Sequence, residues 1–105
     1  MTKKQIRQLF RSHVLKRDKF TCQVCRQKKS EEELDAHHIT DRSKMPNGGY
    51  VPSNGITVCK GKCHQKVETW HSSGEMVWAV GYHPNDLYKL IKSGLEQATK
   101  DSEAL

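Results

Sequence analysis

Four cysteines and three of the histidines fall in short stretches whose chemistry is that of metal binding. Cys22-Gln23-Val24-Cys25 is a close thiol pair, and Cys59 and Cys63, separated by Lys60-Gly61-Lys62, form a second. Two such pairs suit a structural zinc ion held tetrahedrally by four thiolates. The second gap is one residue longer than usual, and Gly61 can absorb the extra residue by taking a backbone conformation other residues avoid. Four sulfurs would complete that ion's coordination, which leaves His37, His38 and His64 without a structural task. In a strand, neighbouring side chains point to opposite faces. One histidine of the doublet can therefore grip a cation while the other handles a proton.

The elements that must position these groups are legible from spacing. Ile6, Leu9, Phe10 and Val14 make the apolar stripe of an amphipathic helix over residues 3–16, with Lys3, Lys4, Arg7, Arg11 and Lys16 on its other faces. Residues 27–33 are polar and predict a loop or short helix. Leu34 to Ile39 predicts a strand that ends at the histidine doublet. A long loop over 40–54, with Pro46-Asn47-Gly48-Gly49 and Pro52-Ser53-Asn54, leads to a second strand at Ile56-Thr57-Val58. Residues 64–70 predict a helix that sets His64 and Glu68 on one face. Glu68 is expected to pair with a lysine and His71 to lie at the surface, with metal ligation as the alternative for each. Met76 to Val80 predicts a buried strand, and Trp70 and Trp78 predict core aromatics. Pro84 opens a last helix with Leu87, Leu90, Ile91 and Leu95 as its stripe, and residues 100–105 read as a frayed polar tail.

Composition sets the outer bounds. The chain has 105 residues, 34% of them hydrophobic, and a mean hydropathy of −0.83. So little apolar material makes a weak core at this size, and a metal staple is expected. No apolar run has the length of a transmembrane helix. Met1-Thr2-Lys3-Lys4-Gln5 lacks the apolar stretch of a secretion signal. A reduced, cytoplasmic setting is expected, which favours zinc over disulfides. Lys and Arg number 18 against 12 Asp and Glu, a formal charge of +6 that suits a polyanionic partner. Arg42 and Lys44, close to the doublet, are candidates for a phosphate clamp.

Asp35-Ala36-His37-His38-Ile39, then Asn54-Gly55-Ile56-Thr57-Val58-Cys59, then Cys63-His64, resembles the HNH endonuclease family in order and spacing. The lead-in from Val14 to Cys25 resembles its cysteine-containing branch, common in phage and prophage genomes. The resemblance covers about residues 14–70. It implies an α+β fold, a small ββα-metal (His-Me finger) domain with a four-cysteine zinc site and flanking helices. One domain over 1–105 is expected: a core motif over about 20–70, a basic N-terminal helix over 1–19 and a helical extension over 71–105.

By the same resemblance, His38 is the general base, Asn54 fixes the loop that orients it, and His37 and His64 hold a catalytic divalent ion. Cys22, Cys25, Cys59 and Cys63 hold the structural Zn²⁺. Mg²⁺ or Mn²⁺ is the expected catalytic ion, with Ni²⁺ or Zn²⁺ as alternatives. A hydrogen bond from the second ring nitrogen of His38 to a backbone carbonyl is expected to set its tautomer. The implied activity is hydrolysis of DNA, double-stranded by expectation, leaving 5′-phosphate and 3′-hydroxyl ends, by a monomer or weak dimer in a bacterial cytoplasm. Phage DNA-processing proteins are the expected partners, and no membrane. The competing reading is a zinc module that binds nucleic acid or protein without cutting. A thiol redox protein does not account for the second cysteine pair and its attached histidine.

Overall fold

A computed structural model describes all residues, 1–105. The first helix, α1 (Lys3–Arg17), begins with a capping box: Thr2 Oγ1 accepts from the Gln5 amide, and the Gln5 side chain accepts from the Thr2 amide. Lys16 and Arg17 complement its C-terminal dipole. Its buried residues are Phe10, Val14 and Leu15, whereas Leu9 of the expected stripe is exposed. Leu15 replaces it because the chain reverses at Lys19 and Phe20, both at positive φ, and the Phe20 amide donates back to the Leu15 carbonyl.

Strands β1 (Leu34–His38) and β2 (Gly55–Cys59) pair antiparallel, with Leu34 opposite Cys59 and His38 opposite Gly55. Helix α1 packs across this hairpin, and α2 (Lys62–Ser72) packs against β2. Gly61, at φ +77°, caps α2 and takes up the extra residue between Cys59 and Cys63. Gly55 is required for a different reason. A Cβ there would stand 2.5 Å from Val14 and 2.7 Å from Phe10, so only glycine lets α1 lie this close to the hairpin. The core joins Phe10, Val14, Leu15, Leu34, Ile39, Ile56, Val58 and Val67 to Leu87, Tyr88 and Ala98. No helix is long and apolar enough to cross a membrane.

The C-terminal third departs from the expectation in three places. Met76 to Val80 forms no strand, and Met76 and Val80 are 79% and 97% exposed. Gly74 and Glu75 are both left-handed, and the Ser73 hydroxyl then accepts from the Met76 and Val77 amides, capturing donors that a ladder would need. Trp70 and Trp78 lie outside the buried core, where they meet each other and His83 edge to face at 4.6–5.4 Å. The last expected helix is two: α3 (Pro84–Leu90) and α4 (Leu95–Glu103), broken at Ser93-Gly94. Leu87 and Tyr88 are buried, while Leu90 and Leu95 are about half exposed. Residues 100–105 are not frayed, because α4 docks onto the loop between the strands. Buried Ser102 accepts from the Gly49 amide and donates to the Pro46 carbonyl, and Asp101 accepts from the Ser53 hydroxyl.

Candidate active site

The four cysteines are unbridged, and their sulfurs lie within 4.8 Å of one another. The first pair sits in a tight turn, pinned to β2 by the Gln23 amide donating to the Thr57 carbonyl. The second pair straddles the end of β2 and the first turn of α2. The Cys25 amide points at Cys22 Sγ at 3.4 Å. Burial alone would raise the Cys22 thiol, but the Cys25, Cys59 and Val24 amides outweigh it and lower its pKa to about 7. Burial and the neighbouring sulfurs push Cys63 up. Four clustered sulfur donors with amide support fit a soft cation in tetrahedral coordination.

The second cluster lies on the α2 side of the hairpin. Strand alternation points Asp35 and His37 toward α2, and helical spacing brings His64, Glu68 and His71 to meet them. His64 Nδ1 donates to Asp35 Oδ2 at 2.8 Å, which leaves Nε2 with its lone pair free. Glu68 Oε2 lies 3.4 Å from His37 Nδ1 and 3.7 Å from His64 Nε2. One donor atom from each of His37, His64 and Glu68 falls within 4.8 Å of the others, so the three residues fit a cation. Glu68 is thus a member of the cluster rather than a lysine's partner, and its hydrogen bond with His37 lowers its pKa. His37 is buried, with a lowered pKa caused first by that burial.

His71 is likewise no free surface residue. Its ring stacks on His37 at 5.2 Å, and its Nε2 donates to the His38 carbonyl at 2.8 Å. Helix α2 therefore holds both members of the doublet, one by its ring and the other by its backbone.

His38 faces the other way. Its imidazole stacks on Phe10 of α1 at 4.5 Å and meets the Tyr50 ring edge-on at 4.7 Å. Nε2 is enclosed without a hydrogen-bond partner, so packing between two aromatic rings orients the imidazole in place of the expected carbonyl. Burial, then the nearby His37 and Arg42 charges, lower its pKa to about 4. At neutral pH it is an uncharged base. His38 and His64 line one cleft of about 230 Å³, together with Arg7, Arg11 and Tyr50.

Asn54 is fully buried. Its Oδ1 accepts from the Thr40 amide at 2.9 Å and from the Tyr88 hydroxyl at 2.7 Å. Its Nδ2 donates to the Thr40 and Gly49 carbonyls at 3.1 and 3.2 Å. All four capacities are satisfied, and they tie the chain just after His38 to the far side of the loop. Lys44 pairs with Glu75 at 2.5 Å, while Arg42 turns to the Tyr50 hydroxyl at 3.1 Å. The two cations therefore do not form one clamp.

The sequence-predicted residues thus gather in three places: the sulfur cluster, the His37–His64 cluster and the His38–Asn54 loop. Asp35, Tyr50 and Tyr88 were not among them. Asp35 carried a usable signal, since it lies two residues before His37 and so on the same strand face. Tyr50 and Tyr88 reach their partners only through tertiary packing.

No curated protein and no solved structure matches this chain. The family model described as HNH endonuclease matches residues 22–69, a span that opens at the first cysteine and closes just beyond Glu68. That span holds all four cysteines, the histidine doublet, Asn54 and His64 in the order the geometry requires. Residues 22–69 therefore match the HNH endonuclease family, and their hairpin, following helix and clustered cysteines are consistent with its ββα-metal fold.

Proposed function

We propose that the protein is a metal-dependent endonuclease that hydrolyses DNA, with His38 as general base. The observation that carries this reading is the split of the doublet. His37 turns into a cluster of metal-ligating side chains, while uncoordinated His38 opens into a cleft shared with His64. A phosphodiester resists water because its charge repels nucleophiles and its alkoxide leaves poorly. A divalent ion in the His37–His64–Glu68 cluster would supply Lewis-acid stabilisation of the charge that develops on the phosphate oxygens. Two imidazoles and one carboxylate suit Mn²⁺, Ni²⁺ or Zn²⁺ better than the oxygen-seeking Mg²⁺ that the sequence led one to expect. The four-cysteine site suits Zn²⁺ and serves the fold.

The chain's own groups do the rest. Asp35 holds His64 in the tautomer whose Nε2 can ligate. His71 fixes the His38 carbonyl and Asn54 fixes the backbone two residues further on, at Thr40. Phe10 and Tyr50 keep its ring dry and uncharged, ready to take a proton from the attacking water. A proton acceptor placed in this way typically contributes about 10²–10⁴-fold. One such site per chain nicks a strand, and paired cutting needs two copies or two encounters.

The test is plasmid nicking with Mg²⁺, Mn²⁺, Ni²⁺ or Zn²⁺ supplied in turn. Wild type should cut. His38→Ala should keep its fold and its DNA affinity yet lose at least about 100-fold in rate. Equal rates would remove His38 from the mechanism, and a wild type that binds DNA but cuts with no ion would favour the non-catalytic zinc module.

A further inference from the structure

A groove of about 660 Å³ runs from the start of α1 to the Arg42–Tyr50 stretch, outside every residue so far given a role in hydrolysis except Tyr50. Arg7 and Tyr50 line both this groove and the His38 cleft, so the two spaces adjoin. Its cations are Lys3, Arg7 and Arg42, and its one acid, Asp41, is occupied by the Ser43 amide and hydroxyl. Tyr50 organises the two arginines. Its hydroxyl accepts from Arg42 Nη1 at 3.1 Å, and the Arg7 guanidinium lies 6.0 Å from its ring centroid. Neither arginine has a carboxylate partner, although the chain carries 12 acidic residues. By contrast Arg11, one turn on from Arg7, is spent on the Leu34 and Glu31 carbonyls, and Lys44 on Glu75.

Two guanidiniums gathered by one tyrosine, Arg7 over its ring and Arg42 on its hydroxyl, with their remaining donors free, suit a phosphate backbone. Side-chain entropy that a free arginine would lose on binding is already partly spent here. Resting on the nuclease reading, we propose that Arg7 and Arg42, templated by Tyr50, form a phosphate clamp that seats the strand beside the scissile phosphate, with Lys3 extending the track along α1. The clamp reads no base: it sets where the strand lies relative to His38.

The experiment measures anisotropy of fluorescein-labelled DNA, duplex and single-stranded, in the His38→Ala background, across about 50–200 mM KCl. Each lost phosphate contact should flatten the log–log salt slope by about 0.9, which at about 0.1 M salt is roughly eightfold in affinity. Arg7→Ala/Arg42→Ala should therefore bind about 60-fold more weakly, with a slope shallower by about 1.8. Lys28→Ala/Lys29→Ala removes the same charge outside the groove and should change affinity by no more than about twofold, as expected of a general field effect. Tyr50→Phe keeps the ring under Arg7 but frees Arg42, and should fall between wild-type affinity and the double variant. Both arginines are exposed, so their removal should leave the melting temperature unchanged. A double variant that behaves like the lysine control would overturn the clamp and leave the nuclease reading standing. Absence of any salt-dependent affinity in the His38→Ala parent would overturn both.

Discussion

Asn54→Ala is the most searching single substitution, because the cost can be assembled bond by bond. The side chain satisfies the Thr40 amide, the Thr40 carbonyl and the Gly49 carbonyl, all within a buried loop. The Tyr88 hydroxyl keeps a second partner, since the Thr40 hydroxyl reaches it at 2.7 Å. Three backbone groups are therefore orphaned, at about 1–2 kcal/mol each once some water enters the void, or about 3–6 kcal/mol together. Against a total stability of about 5–15 kcal/mol for a domain of this kind, such a loss leaves little margin. Tyr88→Phe removes two bonds, to Asn54 Oδ1 and to the Thr40 hydroxyl, but leaves Asn54 Oδ1 the Thr40 amide, and should cost about 1–2 kcal/mol. Asn54→Asp should be worse than alanine, because it sets a buried carboxylate against two carbonyl oxygens. The assay is urea unfolding at fixed zinc concentration, read as a shift in midpoint at constant slope. A cost for Asn54→Ala below about 1 kcal/mol, or the order reversed with Tyr88→Phe the most damaging, would refute the hydrogen-bond accounting.

Gly55→Ala should cost about 1–3 kcal/mol by overpacking and slow nicking as well, since the displaced Phe10 is the ring on which His38 stacks; a protein of unchanged stability and rate would show that α1 yields freely. Cys22→Ser should lose one equivalent of bound zinc together with cooperative melting, and wild type treated with chelator should do the same; an unchanged melting curve would deny the sulfur cluster its role. The folded-state pKa of His38, about 4, lies below the ordinary 6.5, so the unfolded chain takes up its proton first as pH falls. The stability due to its neutral burial is complete above pH 6.5 and is lost between 6.5 and about 4, amounting to roughly 3 kcal/mol. His38→Gln cannot titrate, so the stability difference between wild type and that variant should fall by this amount between pH 7 and 4, and a pH-independent difference would contradict it.

What could be read from the sequence was whatever depends on local period and on donor chemistry. The alternation of Asp35-Ala36-His37-His38 and the i, i+4 relation of His64 and Glu68 are short-range facts, and the hairpin and α2 obey them. The extra residue at Gly61 was legible because only a left-handed backbone could accommodate it. Met76 to Val80 failed for the opposite reason. Apolar composition signals burial only when a partner surface exists, and here the Ser73 hydroxyl takes the amides before any strand can pair. Likewise the stripe over Leu87 to Leu95 ignored Ser93-Gly94, where Ser93 turns instead to the Ser53 carbonyl. Taken singly, Glu68 and His71 offer metal ligation only as an alternative to an ion pair or a surface position. Their part in the site follows only when β1 is laid against α2.

The matched span does not by itself contain everything its histidines require. His38 is oriented by Phe10, which lies before residue 22, and Asn54 is held by Tyr88, which lies after residue 69. Ser102 and Asp101 reach back to Pro46, Gly49 and Ser53, so α4 braces the loop that carries Tyr50 and Asn54. Metal ions at the two clusters would fix the hairpin to α2 and the cysteine turn to β2, since those are the elements that carry the ligands. No ligand lies in the loop over residues 40–54, which must instead be positioned by hydrogen bonds and aromatic packing from both ends of the chain. A proton acceptor stays uncharged when the groups that aim it carry no negative charge to draw a proton onto it. Phe10, Tyr50, Asn54 and Tyr88 meet that condition, and the arginines that could seat a phosphate stand one ring further out.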